Sequence, residues 1–505
     1  MLIKKMNITK QELLTFLLLF LVMSLKNLGF YLIGNEEEYF LLSKLFIHPE
    51  FLPNTFTAYD VPGTRILFQY IAGFFLQYMS FESFAFWSRC VNFLLYSFIL
   101  TKIFKKLNFS VIEALIVVAV FFLRKQNFFG GEWMIHGFES KTLAYVFVLW
   151  SLYEFLEKKY LTGVILAAFS VYFHVLVGGW YTIIIFVYLL LKEGFFRCFK
   201  FGIISIFLVS PFIIYLFTNY FVDNSSIING MNTNWIYTAL RNPYHTYPFK
   251  SLDFFVTEFL RGTILALISY MLCIFYFRRC KDENLAFFNT LNIIIFTQQF
   301  LFLIIAAFDK NGFILKYYPF RLSCLAVLFM YIILVLYTKK YLLLLLPENL
   351  TGKIKDKSKI IWSLTIILII SFVGVSLKDN LRHIKEYNDS IKQKSELYKF
   401  VRNSTLKNDV FIFYRSSDIA FIRNTQREVF LIKKIIPTSS RAIYAWYIRL
   451  QENNKLDKNI SYLREIENKY KIDYLLSASS SEDKSLKLVY KDKRYYLYKI
   501  KKGLM

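Results

Sequence analysis

The feature that most constrains this chain is a succession of apolar runs, each approaching the roughly 20 residues a helix needs to cross a hydrocarbon core. They recur near 13–33, 82–103, 110–123, 142–157, 160–175, 177–191, 199–219, 257–277, 285–308, 320–337 and 360–377. Lipid offers the backbone no water to bond, so each crossing must satisfy its own peptide groups as a helix. Only 19% of the 505 residues are charged, whereas a soluble domain needs about 25% for its surface. The expected fold is an α-helical polytopic membrane protein of about eleven crossings. The stretch 160–191 reads either as a tight hairpin turning at Gly178-Gly179 or as one long helix.

The formal net charge of +25 is placed where membrane proteins put it. Lys4/Lys5/Lys10, Lys102/Lys105/Lys106, Lys158/Lys159, Lys192/Arg197/Lys200, Arg278/Arg279/Lys281 and the lysines of 339–359 flank apolar runs. All fall on the cytoplasmic side if residues 64–79 do not cross. That segment, carrying Arg65, Gln69 and Gln77, is then an interfacial helix. No phosphate-binding glycine loop or RNA-binding aromatic motif accompanies the basic residues, so nucleic acid is not an expected partner. The first apolar run lacks a small-residue cleavage site and is read as an uncleaved helix with a cytoplasmic N-terminus. The five cysteines are widely spaced beside apolar segments, the pattern of small core residues and not of a zinc or disulfide framework.

This threading puts loops 34–81, 124–141 and 220–256 on the outer face of the membrane, together with the tail. Residues 1–377 form the membrane domain and 378–505 a small extracytoplasmic α/β domain. In the tail, 410–414, 428–432, 472–478, 486–490 and 495–500 read as strands, and 440–451 and 458–470 as helices.

Polar chemistry collects on those outer segments. The first loop opens on Glu36-Glu37-Glu38; adjacent carboxylates raise one another's proton affinity, so one can act as a general base or two can hold a divalent metal. Asp60 is a further candidate, or shapes a turn. In the second loop, Glu139 and Lys141 stand where the chain re-enters the membrane, a cation for a lipid phosphate beside an orienting carboxylate. In the third, Arg241 and His245 lie within Arg241-Asn242-Pro243-Tyr244-His245-Thr246-Tyr247-Pro248, where two prolines are expected to exclude helix. His174 and Arg321 sit at membrane edges, where polar groups are costly and commonly functional. Each also has a plain structural reading, as helix-end charge, interfacial side chain or snorkelling arginine.

The arrangement resembles the GT-C superfamily of integral membrane glycosyltransferases, which share an acidic motif just after the first helix, interfacial helices in the first outer loop, and often a C-terminal extracytoplasmic domain. Glu139-Ser140-Lys141, Phe173-His174-Val175, Arg241-Asn242-Pro243-Tyr244-His245, Pro319-Phe320-Arg321 and the tail from Arg427 to Arg449 resemble a bacterial branch of that superfamily. Two departures stand: Tyr244 precedes His245 where a second His is expected, and the acidic motif is Glu-Glu-Glu in place of an Asp-Glu pair. The resemblance implies an inner-membrane enzyme of a bacterial envelope that transfers a sugar from a polyprenyl-phosphate donor to a glycan, lipid or protein acceptor, with inversion. Glu37, Glu36, Glu38 or Asp60 would be the base; Lys141, Glu139, His174, Arg241, His245 and Arg321 would bind substrate. The alternatives are a transporter or flippase of a lipid-linked glycan and a non-catalytic glycan-binding scaffold, but few charges fall mid-membrane and no repeat is visible.

Overall fold

The computed structural model describes residues 9–53, 56, 64–123, 125–221, 226–279, 281–342 and 354–501. Asp60, Lys4, Lys5 and Cys280 lie outside the described residues. The chain forms two compact units. The first comprises Met1–Gly29, Phe86–Ile214 and Tyr237–His383; the second comprises Phe30–Ala85, Tyr215–Ile236 and Ile384–Met505.

Every expected crossing forms a helix. Six described helices are both long and apolar enough to span a bilayer: Phe81–Lys106, Val175–Glu193, Phe195–Asn219, Leu252–Arg279, Glu283–Phe308 and Ser323–Lys340. Lys10–Asn27 is as long as the shortest of these but carries Lys10, Glu12 and Lys26; Val111–Leu123, Ser140–Leu156 and Tyr160–Phe173 are shorter, and the last expected crossing opens a helix running from Ile354 to Ser404. Local signals set the ends. Thr9 and Glu12 form a reciprocal capping box at the first helix, and Asp282 accepts from the Leu285 amide at 2.9 Å to start another. Only 22% of the apolar windows of Phe195–Asn219 and Leu252–Arg279 is buried by protein, against 61% for Phe81–Lys106 and Ser323–Lys340. The outward Ile206 and Phe207 are therefore lipid-facing surface, and the chain is an integral membrane protein.

The 160–191 region is neither one helix nor a turn at the glycines. It breaks at His174, whose Nδ1 accepts from the Val177 amide at 3.3 Å and starts the helix Val175–Glu193. Gly178 lies inside that helix, where a Cβ would come within 2.4 Å of the Val171 nitrogen. It allows two helices to touch backbone to backbone.

Lys102, Lys105, Lys106, Lys158, Lys281 and Lys340 gather around one depression in this unit, interleaved with Glu157, Asp282 and Glu283. Several are paired, as Lys106 with Glu157 at 3.0 Å and Lys340 with Asp282 at 2.7 Å. Basic clusters far apart in sequence thus meet at one place.

The second unit contains a two-stranded hairpin, β1 (Ile227–Ile228) and β2 (Met231–Asn232), and a five-stranded sheet in order β4-β3-β5-β7-β6. Its strands are β3 (Val410–Tyr414), β4 (Glu428–Val429), β5 (Tyr474–Ser477), β6 (Leu486–Lys491) and β7 (Tyr496–Ile500). β3 pairs in parallel with β4 and β5, and β7 runs antiparallel to β5 and β6. The connection from β4 to β5, on the far side of β3, uses the helices Ser440–Lys458 and Leu463–Lys469, the kind of crossover that parallel strands need. Phe411, Phe421, Leu475 and Trp446 are buried in its core. The helices Glu36–Ile47 and Ile66–Phe75 also belong here. Gly73 brings them together, since a Cβ would meet the Ser43 carbonyl oxygen at 2.4 Å. Ten residues rise about 15 Å, so Ile66–Phe75 is too short to cross.

Candidate active site

In the first unit the chemistry is organised by the loop between Val111–Leu123 and Ser140–Leu156. Gly130 and Gly131 both adopt positive φ, 84° and 60°, a bend only glycine makes cheaply. Space demands the same residue: a Cβ on Gly130 would lie 2.9 Å from Phe320 Cβ. Gln126 then clamps the returning strand, accepting from the Met134 and Ile135 amides at 2.9 and 3.0 Å and donating to the Ile135 carbonyl at 2.8 Å. Ser323 Oγ accepts from the Phe128 amide at 2.9 Å and ties the loop to a later helix.

The bend delivers Glu132, 1% exposed, among Arg321, Lys141 and His245. Arg321 Nη1 donates to its Oε2 at 2.6 Å, Lys141 Nζ stands 3.7 Å from the same oxygen, and His245 Nδ1 lies 3.2 Å from Oε1. Lys141 is shared with Glu139 at 3.8 Å and sits 3.5 Å over the Trp133 ring; Arg321 lies 4.4 Å over Tyr318. These stacked faces favour cations taken out of water. Burial alone would raise the Glu132 carboxyl, but Arg321, Lys141 and His245 outweigh it and hold the group well below the usual carboxylate range.

His245 Nδ1 also lies 2.7 Å from the Gly130 carbonyl oxygen. A carbonyl only accepts, so Nδ1 carries the hydrogen and Nε2 is the nitrogen available for further chemistry. The ring is the most open member of the cluster, with about a third of its surface exposed. Its segment departs from expectation, because Pro243–Thr246 is a turn of helix with Pro243 at the first position. There the missing amide hydrogen is no loss. His136, on the same loop, is pressed down to about 3 by burial first and then by Arg89, Lys141, Lys26 and His383. It is neutral at physiological pH.

The sequence-derived candidates therefore divide. Lys141, Glu139, His245 and Arg321 meet around Glu132, the carboxylate that sequence reasoning passed over although it follows the Gly130-Gly131 pair. His174 caps a helix, and Arg241 is half-buried four residues before His245.

In the second unit, Gly34 at φ 62° turns the chain into the helix Glu36–Ile47. Glu36 is buried and accepts from the Ile33 amide at 2.8 Å, a helix-start role. Glu38 is half-buried. Glu37 faces a different partner: Arg423 Nε donates to its Oε1 at 2.6 Å. The same guanidinium donates to Glu82 Oε1 at 2.6 Å and to the Tyr387 hydroxyl at 3.0 Å, and that hydroxyl donates to Glu82 at 2.7 Å. Burial raises the Glu37 carboxyl above its ordinary value despite Arg423, with Asp418 and Glu82 adding to the rise. Burial works against the Arg423 charge, but Glu37, Tyr387 and Glu82 more than offset it and the guanidinium is held more firmly protonated than usual. Arg423, Glu82 and Tyr387 were missed from sequence because each is an ordinary residue joined to the acidic motif only by folding.

Glu37 also lines a cavity of about 490 Å³ formed by this unit alone. Tyr387, Lys394, Asp418, Lys433 and Lys434 contribute to its wall. Among the described residues, no group of three His, Cys, Asp or Glu side chains is placed to hold a metal ion. The carboxylates of Glu36 and Glu37 are engaged as above.

No protein-family model matches the chain, and no curated protein matches it. Two solved structures of ArnT from Cupriavidus metallidurans resemble it over nearly their whole length. The one bound to undecaprenyl phosphate is 10% identical with a TM-score of 0.46, covering 97% of this chain and 96% of that one. The apo form is 10% identical with a TM-score of 0.32, covering 96% of each chain.

Proposed function

We propose that this chain is a membrane glycosyltransferase that moves a sugar from a polyprenyl-phosphate donor to an acceptor hydroxyl on the outer face of a bacterial inner membrane. The observation that carries the reading is the convergence of Lys141, His245 and Arg321, from three separate segments, on the single buried carboxylate Glu132. Cations oriented in advance in a water-poor site stabilise a departing phosphate without reorganising as the reaction proceeds. The motif resemblance to GT-C transferases points the same way.

In this mechanism the acceptor oxygen attacks the anomeric carbon, and the bond from that carbon to the phosphate oxygen breaks. The electron pair leaves with the lipid phosphate, toward His245 and the Arg321 and Lys141 charges that Glu132 holds in place. A general base must take the acceptor proton, and the acidic motif after the first helix, Glu37 foremost, is the candidate. Arg423 engages Oε1 of Glu37, leaving Oε2 for a substrate hydroxyl, and the raised proton affinity suits a general base. One displacement with no covalent intermediate inverts the anomeric centre.

Glycan profiling of the envelope in a deletion strain tests the reading. A missing sugar restored by the wild-type gene and not by Glu37→Gln, with an intact lipid-linked donor accumulating, supports transfer. Full restoration by the Gln variant removes Glu37 as the base. An unchanged glycan profile in the deletion strain moves the weight to transport or scaffolding.

A further inference from the structure

The second unit buries two carboxylates against one cation. Glu37, at the start of the helix Glu36–Ile47, and Glu82, in the first turn of Phe81–Lys106, share Arg423. Its guanidinium reaches them with different nitrogens, Nε to Glu37 and Nη1 to Glu82, each at 2.6 Å, while Nη2 donates to the Tyr387 hydroxyl at 3.0 Å. The Phe81 ring lies 5.6 Å away and the Arg423 side chain is 5% exposed, so little water competes for these bonds.

The two carboxylates are not equivalent. Glu82 accepts from Arg423 and also from the Tyr387 hydroxyl at 2.7 Å, and its side chain is 27% exposed. Among the described residues, the Glu37 side chain has only the bond from Arg423 and is 9% exposed. Where like charges share a site, the proton settles on the member with fewer donors and less solvent, which here is Glu37. Burial raises its carboxyl first of all, Arg423 opposes, and the Asp418 and Glu82 charges add to the rise.

The other ionisable groups around Glu37 have partners of their own. Lys394 and the Tyr398 hydroxyl hold Asp418 at 3.1 and 2.6 Å, Lys433 is paired with Asp457 at 3.4 Å, and Lys434 donates to the Gly34 carbonyl. On the same helix, Glu36 accepts from the Ile33 amide and Glu38 is half-buried. Glu82 is set apart from them because it meets Glu37 through a guanidinium that both carboxylates touch.

We propose that Glu82 is a positioning residue that sets how readily Glu37 accepts a proton. By holding one edge of Arg423, it leaves Glu37 enough of the charge to orient Oε1 and too little to keep that carboxylate from being protonated. That this tuning serves removal of the acceptor proton rests on the transferase reading; the coupling of the two carboxylates does not.

The test takes two readouts on the full-length protein in detergent. Infrared titration follows the protonated carboxyl band of Glu37, identified as the band that Glu37→Gln removes, and needs no substrate. The pH profile of kcat/KM for sugar transfer follows the same group through its acid limb, because a base works only once deprotonated. Glu82→Gln removes a negative charge from Arg423, so both midpoints should move down by about one pH unit, the scale of a like charge sharing a site. Glu82→Asp keeps the charge and should hold them near wild type. Tyr387→Phe keeps both carboxylates but deprives Glu82 of a donor; Glu82 then draws harder on Arg423, and the midpoints should move up. A Gln variant whose midpoints stay at the wild-type pH, with activity lowered equally at every pH, would make Glu82 a structural prop and overturn the inference. If Glu82→Gln does not fold, an unmoved or lowered midpoint in Tyr387→Phe overturns it instead. Infrared midpoints that shift as expected in a protein that transfers no sugar would leave the coupling standing and remove the transferase reading. Transfer whose midpoint ignores Glu82 would do the reverse.

Discussion

Glu132 has two cationic neighbours, Arg321 and Lys141, the His245 ring beside them and almost no solvent, which makes it the residue whose loss should be felt most. Glu132→Gln keeps the shape and removes the charge, leaving Arg321 and Lys141 buried with one carboxylate fewer. Breaking a buried pair in this way typically costs about 3–5 kcal/mol, and thermal unfolding in detergent at pH 7 should show a clear loss of stability. The pH dependence has a definite sign. The cations hold Glu132 below its ordinary 4.5, so its stabilisation is complete above pH 4.5 and is lost as pH falls through the folded-state value. The Gln variant should lack that acid limb. His136 acts in a higher window. Its folded-state value is about 3 against an ordinary 6.5, so between these pH values the unfolded chain binds a proton that the folded chain refuses. Stability should therefore decline as pH drops from 6.5 towards 3, and His136→Gln should flatten the decline. A Gln variant with an unchanged slope would mean that His136 titrates normally in the fold.

At the level of elements, two glycine positions set geometry that no other residue can. Gly130→Ala combines a φ of 84° with a 2.9 Å approach to Phe320. It should cost on the order of 1–3 kcal/mol and disturb the delivery of Glu132, lowering transfer activity as well as unfolding temperature. Gly178→Leu should push the helix Val175–Glu193 off the Val171 backbone, with lower stability and a smaller effect on transfer. The helices and strands were largely legible beforehand, since long apolar runs and aromatic, β-branched runs between turn residues have only one local solution each. The break at His174 was not, because a histidine cap carries no propensity signal and Gly178-Gly179 carried a louder one. Nor was the helical turn Pro243–Thr246, where proline marks a helix start as readily as an interruption. The site was legible by residue type alone. Lys141, His245 and Arg321 were singled out as cations, but their shared carboxylate depends on a backbone bend of two residues. Arg423 lies 386 positions from Glu37, a separation that no local pattern bridges.

On the scale of the whole molecule, a helical membrane unit holds the cation cluster and a second unit, built from the first loop and the tail, holds Glu37 and its cavity. Each unit is assembled from segments far apart in the chain, so excising the tail should not yield an independently stable domain. The second unit includes Phe30–Ala85, and loss of Arg423 with the tail would leave Glu37 and Glu82 without their shared cation. Expression of 1–377 alone should give poorly folded protein, and a stable, monodisperse product in detergent would contradict this.

The proposed sugar transfer is tested most directly by reaction of purified full-length protein with a radiolabelled polyprenyl-phosphate sugar. The wild type should release polyprenyl phosphate as label appears in an acceptor. Glu37→Gln and Arg321→Ala should each lower the rate by at least about a hundredfold, the scale of losing a general base or a charge-stabilising donor. Label that stays on the lipid with wild-type enzyme across a panel of acceptors, or that transfers equally well with both variants, would contradict it.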